Sequence, residues 1–174
     1  MARLIYALNQ SLDGYVDHDS FGPDAGLFQH FIEDMRGLSA AIYGRRMYEV
    51  MRYWDDEQPG WGPAERDYAE AWRACPKWVV SRTLQTVGPN ADLIADDVEA
   101  RLRRLKAETD GDMEIAGPEI AASMAGLIDE YRLYVHPVVV GAGKRFFAGA
   151  RPPLRLAACD PMSGGVVRLT YVPA

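Results

Sequence analysis

Apolar positions along the chain fall into two rhythms. Residues 3–9, RLIYALN, form a short apolar-rich run, and SLDG at 11–14 closes it with turn-forming residues, which predicts a buried strand followed by a turn. A stretch rich in Asp, Gly and Pro then runs to about residue 24. Leu27, Phe28, Phe31, Ile32 and Met35 recur at the spacing of one helix face. Residues 39–43 predict a second strand, and a helix carrying Met47, Val50 and Met51 follows it. A loop bearing tryptophan and proline (residues 54–63) leads to a helix over 64–74, then to a third strand, KWVVS, at 77–81.

The same alternation continues through the middle of the chain. DDVEARLRRLKAE at 96–108 places Val98, Leu102 and Leu105 on one side and charges elsewhere, an amphipathic helix. DMEIAG at 112–117 predicts a fourth strand, and a short helix opens at Pro118, whose missing N–H costs nothing in a first helical turn. After Asp129 the rhythm changes, because YRLYVHPVVVG, PLRLAAC and VVRLTYV predict strands with no helix between them. Helical crossovers make parallel neighbours and short connections make antiparallel ones. The expected fold class is therefore α/β: a single domain over residues 1–174, whose mixed sheet is mostly parallel and becomes antiparallel at its C-terminal end.

Composition narrows the function. The 174 residues carry a net charge of −6, which argues against a general nucleic-acid surface but not against a small cationic site. Two cysteines without a CxxC pattern give no zinc or disulfide framework and suit a reducing compartment. The N-terminal apolar run is too short for a secretion signal or a membrane span, so a cytoplasmic protein without membrane association is expected. DHD at 17–19 is the one segment suggestive of a metal, and it lacks a spaced partner, so no metal is expected. GAGKRF at 141–146 imitates part of a dinucleotide fingerprint but has Phe146 where the third glycine belongs.

Three predicted strands end alike. Gly44-Arg45-Arg46 follows the second, Ser81-Arg82-Thr83 the third and Gly117-Pro118-Glu119 the fourth. Ligands of parallel α/β sheets bind at the carboxyl ends of strands, so these ends can share one crevice. A glycine at a strand–helix junction admits a pyrophosphate, and arginines bind phosphate through charge-assisted, often bidentate hydrogen bonds. The competing reading makes each arginine a solvated surface side chain and Gly117-Pro118 ordinary turn chemistry. His136, after an apolar run and before Pro137, reads as a packed histidine.

SLDGYV, YGRRMYEVM, KWVVSRTL, GLIDEYRLYVHPVVVGAGKRFF and GGVVRLTYV follow one another across the chain. In this order they resemble the dihydrofolate-reductase-like proteins related to the C-terminal reductase domain of the riboflavin-biosynthesis deaminase–reductase. The resemblance implies a three-layer fold, with the central mixed sheet flanked by helices, together with NADPH as cofactor and a homodimer. It assigns Gly44, Arg45, Arg46, Ser81, Arg82 and the turn of Gly117, Pro118, Glu119, Ile120 and Ala121 to the cofactor. Ser11, Leu12, Asp13 and Gly14 fall on the nicotinamide and substrate side, with Asp13 the candidate to polarise a substrate and capping of the SLDG turn by its carboxylate the competing role. The acid that dihydrofolate reductases carry early in the helix after the lid falls near Phe28 or Gln29, with Asp24 the nearest carboxylate. The lysine that the riboflavin enzymes carry before SLDG is here Ala7, and no deaminase half is present. The implied activity is NADPH-dependent hydride transfer to a small polar heterocycle or imine, pterin-like or ribosylaminopyrimidine-like. The alternative is a nucleotide-binding protein that keeps the fold without turnover.

Overall fold

A computed structural model describes residues 1–16, 19, 21–149 and 151–174. The elements are β1 (Arg3–Gln10), α1 (Ala25–Gly37), β2 (Leu38–Gly44), α2 (Arg45–Met51), α3 (Pro63–Ala74), β3 (Lys77–Val80), β4 (Ala91–Ile94), α4 (Val98–Glu108), β5 (Asp112–Ala116), α5 (Pro118–Ser123), β6 (Glu130–Val135), β7 (Leu154–Pro161) and β8 (Val167–Pro173). They build one sheet of eight strands in the order β4-β3-β2-β5-β1-β6-β8-β7. The strands from β4 to β6 pair in parallel, and β8 and β7 add antiparallel. This is the expected mixed sheet flanked by helices.

Central strands are apolar on both faces because helices cover both. Ile42, Val79 and Ile115 have no accessible surface, and they join one large core with Leu4, Tyr6, Trp72 and Leu102. Glu114 of β5 is one of the exceptions, an acidic side chain in the middle of the sheet, as is the buried Lys77 of β3. Asp24 caps α1 by accepting from the Leu27 amide at 2.9 Å, and Ser163 donates to the same carboxylate at 2.7 Å. That pair fixes the start of α1 against the turn before β8.

Two elements differ from the sequence reading. β4 was not anticipated: ADLI is only four residues long and is interrupted by Asp92, and it is ordered by pairing with β3 at the sheet edge. The strand expected to run on beyond Val135 stops there. Pro137 cannot donate to a ladder, and the backbone of residues 138–141 turns instead to the loop after β1.

Candidate active site

The carboxyl ends of β3, β2 and β5 lie side by side, so the three glycine- and arginine-bearing junctions face one crevice. Gly44 and Gly117 both line it. A Cβ on Gly117 would stand 3.4 Å from Ile120 Cγ2 and 4.0 Å from the Gly44 nitrogen, and Gly117 has φ +122°, a conformation that side chains resist. The groove running over these glycines is lined by Arg45, Arg46, Met47, Val80, Glu119 and Ser123 among others. A second groove, lined by Arg82, Asp97 and Arg103, adjoins it and shares Val80 and Ser123.

Met47 also belongs to a more enclosed space. On the α1 side of the sheet, a cavity of about 130 Å³ is floored by Ala7, Asn9, Tyr43, Glu114, Ala116 and Tyr134, with Met47 at its wall. Phe31, Asp34 and Met35 of α1 and Tyr68 of α3 roof it. That volume is close to what a single six-membered ring needs. Tyr68 stacks beside Phe28 and Trp54, so the roof continues into an aromatic wall.

Two acids line the cavity. Asp34 accepts from the Tyr134 hydroxyl at 3.0 Å and stands 3.2 Å from His30 Nε2 and 3.8 Å from Arg132 Nη1. Arg132 is itself held by Glu130 at 2.6 Å, and Glu130 also binds Arg3 at 2.9 Å, so Asp34 is anchored through a chain of ion pairs. Among the described residues Glu114 has no such anchor. Burial among apolar and aromatic groups pushes its carboxyl up to about 8; the charge of Asp34 adds to the effect and Arg132 opposes it.

Residues 2–167 match the family model for the RibD C-terminal domain. The chain belongs to the RibD C-terminal domain family. Its relatives include YyaP of Bacillus subtilis, 27% identical over 186 residues that cover 97% of this chain and 94% of YyaP. Among solved structures, the deaminase/5-amino-6-(5-phosphoribosylamino)uracil reductase of Thermotoga maritima superposes with a TM-score of 0.69 at 15% identity, covering 99% of this chain and 57% of that one. Dihydrofolate reductase of Enterococcus faecalis, solved with NADP(H), superposes with a TM-score of 0.67 at 14% identity, covering 98% of this chain and 96% of that one. Family and fold together support a reductase-like function.

Within this RibD C-terminal domain, the candidate residues divide by position. Gly44, Arg45, Arg46, Gly117, Glu119 and Ile120 line the first groove, and Arg82 lines the second. Arg45 is half-exposed and reaches toward Glu49 at 3.5 Å. Glu119 is neutralised by an ion pair with Lys144, which keeps a bare carboxylate from facing the groove. Ser81 is buried, and its hydroxyl accepts from the amides of Thr83 and Leu84 at 3.1 and 3.0 Å, so it shapes the turn that presents Arg82. Pro118 and Ala121 are buried at the start of α5 and hold the turn from beneath.

The loop after β1 is tied to residues 138–146. Leu12 donates to the Val138 carbonyl, Val16 to Lys144 and Phe146 to Gly14. Asp13 accepts from the Ser11 hydroxyl at 2.6 Å and from the amides of Val140 and Gly141 at 3.1 and 2.7 Å. The Ser11 hydroxyl, followed by the two amides, lowers this carboxyl to about 2. Asp13 thus clamps two loops and is not among the residues lining the cavity. Leu12 is exposed, and Gly14 takes φ +87° to turn the loop. GAGKRF is this clamp's other half and not a nucleotide fingerprint. His136 is packed, with Nε2 2.7 Å from Asn9 Oδ1 and the ring against Phe21. Asp17 and His18 of the DHD segment lie outside the described residues.

Sequence reasoning missed both cavity acids. The expected helix position is occupied by Phe28, whose ring joins the aromatic wall, and Asp24 is engaged as a cap. Asp34 lies further along the same helix, on the face that carries Phe31 and Met35. One signal was available for Glu114: a charge in the middle of DMEIAG, a strand between predicted helices that parallel pairing on both sides covers on both faces.

Proposed function

We propose that this protein is an NADPH-dependent reductase acting on a small polar ring, a pterin-like or aminopyrimidine-like heterocycle or a cyclic imine. One observation carries the reading: a ring-sized cavity shares Met47 as a wall with an extended groove that passes two glycines and four arginines. A dinucleotide is the elongated, anionic ligand such a path suits. The cradle passes a steric test, because a Cβ at Gly117 would fill the groove where backbone must approach a pyrophosphate. Gly44, Gly117 and Ile120 would hold the pyrophosphate, while Arg45, Arg46 and Arg82 are the cations available to a 2′-phosphate.

When bound, the cofactor would supply the hydride, and the chain supplies the rest. The aromatic and methionine walls exclude water and hold a flat ring. Asp34, fixed by Tyr134 and Arg132, accepts hydrogen bonds from the ring's N–H edge. Among the described residues no arginine or lysine lines the cavity, so a phosphate on the substrate would have to stay outside it. The likeness to the Thermotoga reductase and to the NADP(H)-bound dihydrofolate reductase supports the reading at the level of fold.

Titrating purified protein with NADPH and NADH tests the first half. The second half is tested by following loss of reduced-nicotinamide absorbance with dihydropterins and 5-amino-6-ribosylaminouracils. Tight NADPH binding without turnover of any ring substrate would instead favour a nucleotide-binding protein. Failure to bind NADPH would overturn the proposal.

A further inference from the structure

The two acids of the cavity stand in opposite conditions. Asp34 has a hydroxyl donor, an imidazole and a guanidinium around it. Glu114, on the cavity floor, accepts a hydrogen bond from no group among the described residues. Asp34 from α1 and Arg132 from β6 are the charged groups that act on it, and its own charge acts on Tyr43 of β2, Tyr68 of α3 and Cys75 at the end of α3. Burial raises the tyrosines and the cysteine and keeps them neutral. Arg132, the one cation among these groups, is already shared between Asp34 and Glu130.

Two carboxylates cannot both be ionised cheaply in a small apolar space. The one with donors and a counter-ion carries the charge, and the other keeps its proton. Asp34 is the former and Glu114 the latter. The cavity therefore offers an acceptor edge and a single acidic O–H across a space the size of one ring.

We propose that Glu114 is the acid of the reaction, giving its carboxyl proton to the substrate nitrogen or oxygen bonded to the carbon that is reduced. This rests on the reductase reading. In the step the Glu114 O–H bond breaks and an N–H or O–H bond forms on the substrate. The electron pair of the C=N or C=O bond moves to that heteroatom while its carbon gains a hydride from the reduced nicotinamide. Glu114 is left as a carboxylate beside Asp34, and that like-charge repulsion drives its reprotonation from water. The substrate class follows: an uncharged ring with a C=N or C=O group facing β5 and an N–H or amino edge facing α1.

The test uses the full-length protein with glutamate isotope-labelled at the side-chain carboxyl, titrated by NMR. One glutamate, absent in Glu114→Gln, is expected to titrate near pH 8 and to move down in Asp34→Asn, where the neighbouring charge is gone. A Glu114 that titrates in the ordinary range near 4.3 would overturn the proposal, because it would hold no proton at neutral pH. In parallel, single-turnover reduction of 5-amino-6-ribosylaminouracil and dihydropterin should slow as pH rises through about 8. Glu114→Gln should lower that rate about 10²–10⁴-fold and flatten its pH profile while NADPH affinity is unchanged. An unaltered rate in Glu114→Gln would also overturn the proposal. Absence of NADPH binding would sink the reductase reading instead, and the titration still decides whether Glu114 keeps its proton.

Discussion

Arg45→Ala is the sharpest probe of the cofactor path. The Arg45 side chain is 46% exposed at the rim of the groove, and its nearest partner is Glu49 at 3.5 Å, one helical turn away. Reaching a 2′-phosphate requires that guanidinium to leave Glu49. An exposed pair of this spacing contributes about 0.3–0.5 kcal/mol, whereas a charge-assisted hydrogen bond contributes roughly 1.5–3 kcal/mol. Half-exposure places the new bond in the lower part of that range, for a net of about 1–2 kcal/mol. At about 1.4 kcal/mol per decade, the substitution should weaken NADPH by roughly 5- to 30-fold. NADH lacks the phosphate and should bind the variant as it binds the parent. The assay is a pair of titrations with NADPH and NADH, repeated at low and high ionic strength. Added salt should erode the parent's preference, since a partly exposed charge pair is screened. Glu49→Gln provides a second arm, because releasing Arg45 should tighten NADPH slightly. If both nucleotides weaken together in Arg45→Ala, the arginine shapes the groove without reading the phosphate, and the argument fails. Unchanged binding of both would make it a solvated surface residue.

Other outcomes follow from the same geometry. Gly117→Ala forces a side chain into φ +122° and toward Ile120, a strain of about 1–3 kcal/mol. It should lower the urea midpoint and weaken both nucleotides, and a variant with parental stability and affinity would refute the cradle. Asp13 should act as a clamp, so Asp13→Ala is expected to speed hydrogen exchange at Val140 and Gly141 while leaving the titration of Glu114 untouched. Because the Asp13 carboxyl lies below its ordinary value, the clamp should be intact above the unfolded value near 3.8 and be lost as pH falls through about 2, which the same exchange measurement follows into acid. We propose that the exposed edge of β7 pairs with a second copy, an unpaired strand edge being a template for association. Light scattering should then give about twice the chain mass at micromolar concentration, and a monomer would refute it.

Most of the frame was legible in the chain because it depends on local patterns. Alternating apolar runs and helical spacing announced strands and helices, and the change of rhythm after Asp129 announced the antiparallel end of the sheet. The three strand ends were readable for the same reason, since a parallel sheet puts all its carboxyl ends on one side. Where local pattern was weak, the sequence said little. β4, four residues interrupted by Asp92, does not signal itself and is ordered by β3 alone. Side-chain roles depended still more on partners distant in sequence. Asp13 could be read for chemistry or for holding its turn, and the sequence could not name Val140 and Gly141, more than a hundred residues away, as the amides that bind its oxygens. Ser81, assigned to the cofactor by resemblance, has a turn-bracing role that local pattern did not announce. Asp34 and Glu114 stand 80 positions apart, on a helix and a strand that no local rule joins. Only tertiary packing puts them in one cavity and leaves one of them without a counter-ion, and that asymmetry separates an ionised acceptor from an acid holding its proton.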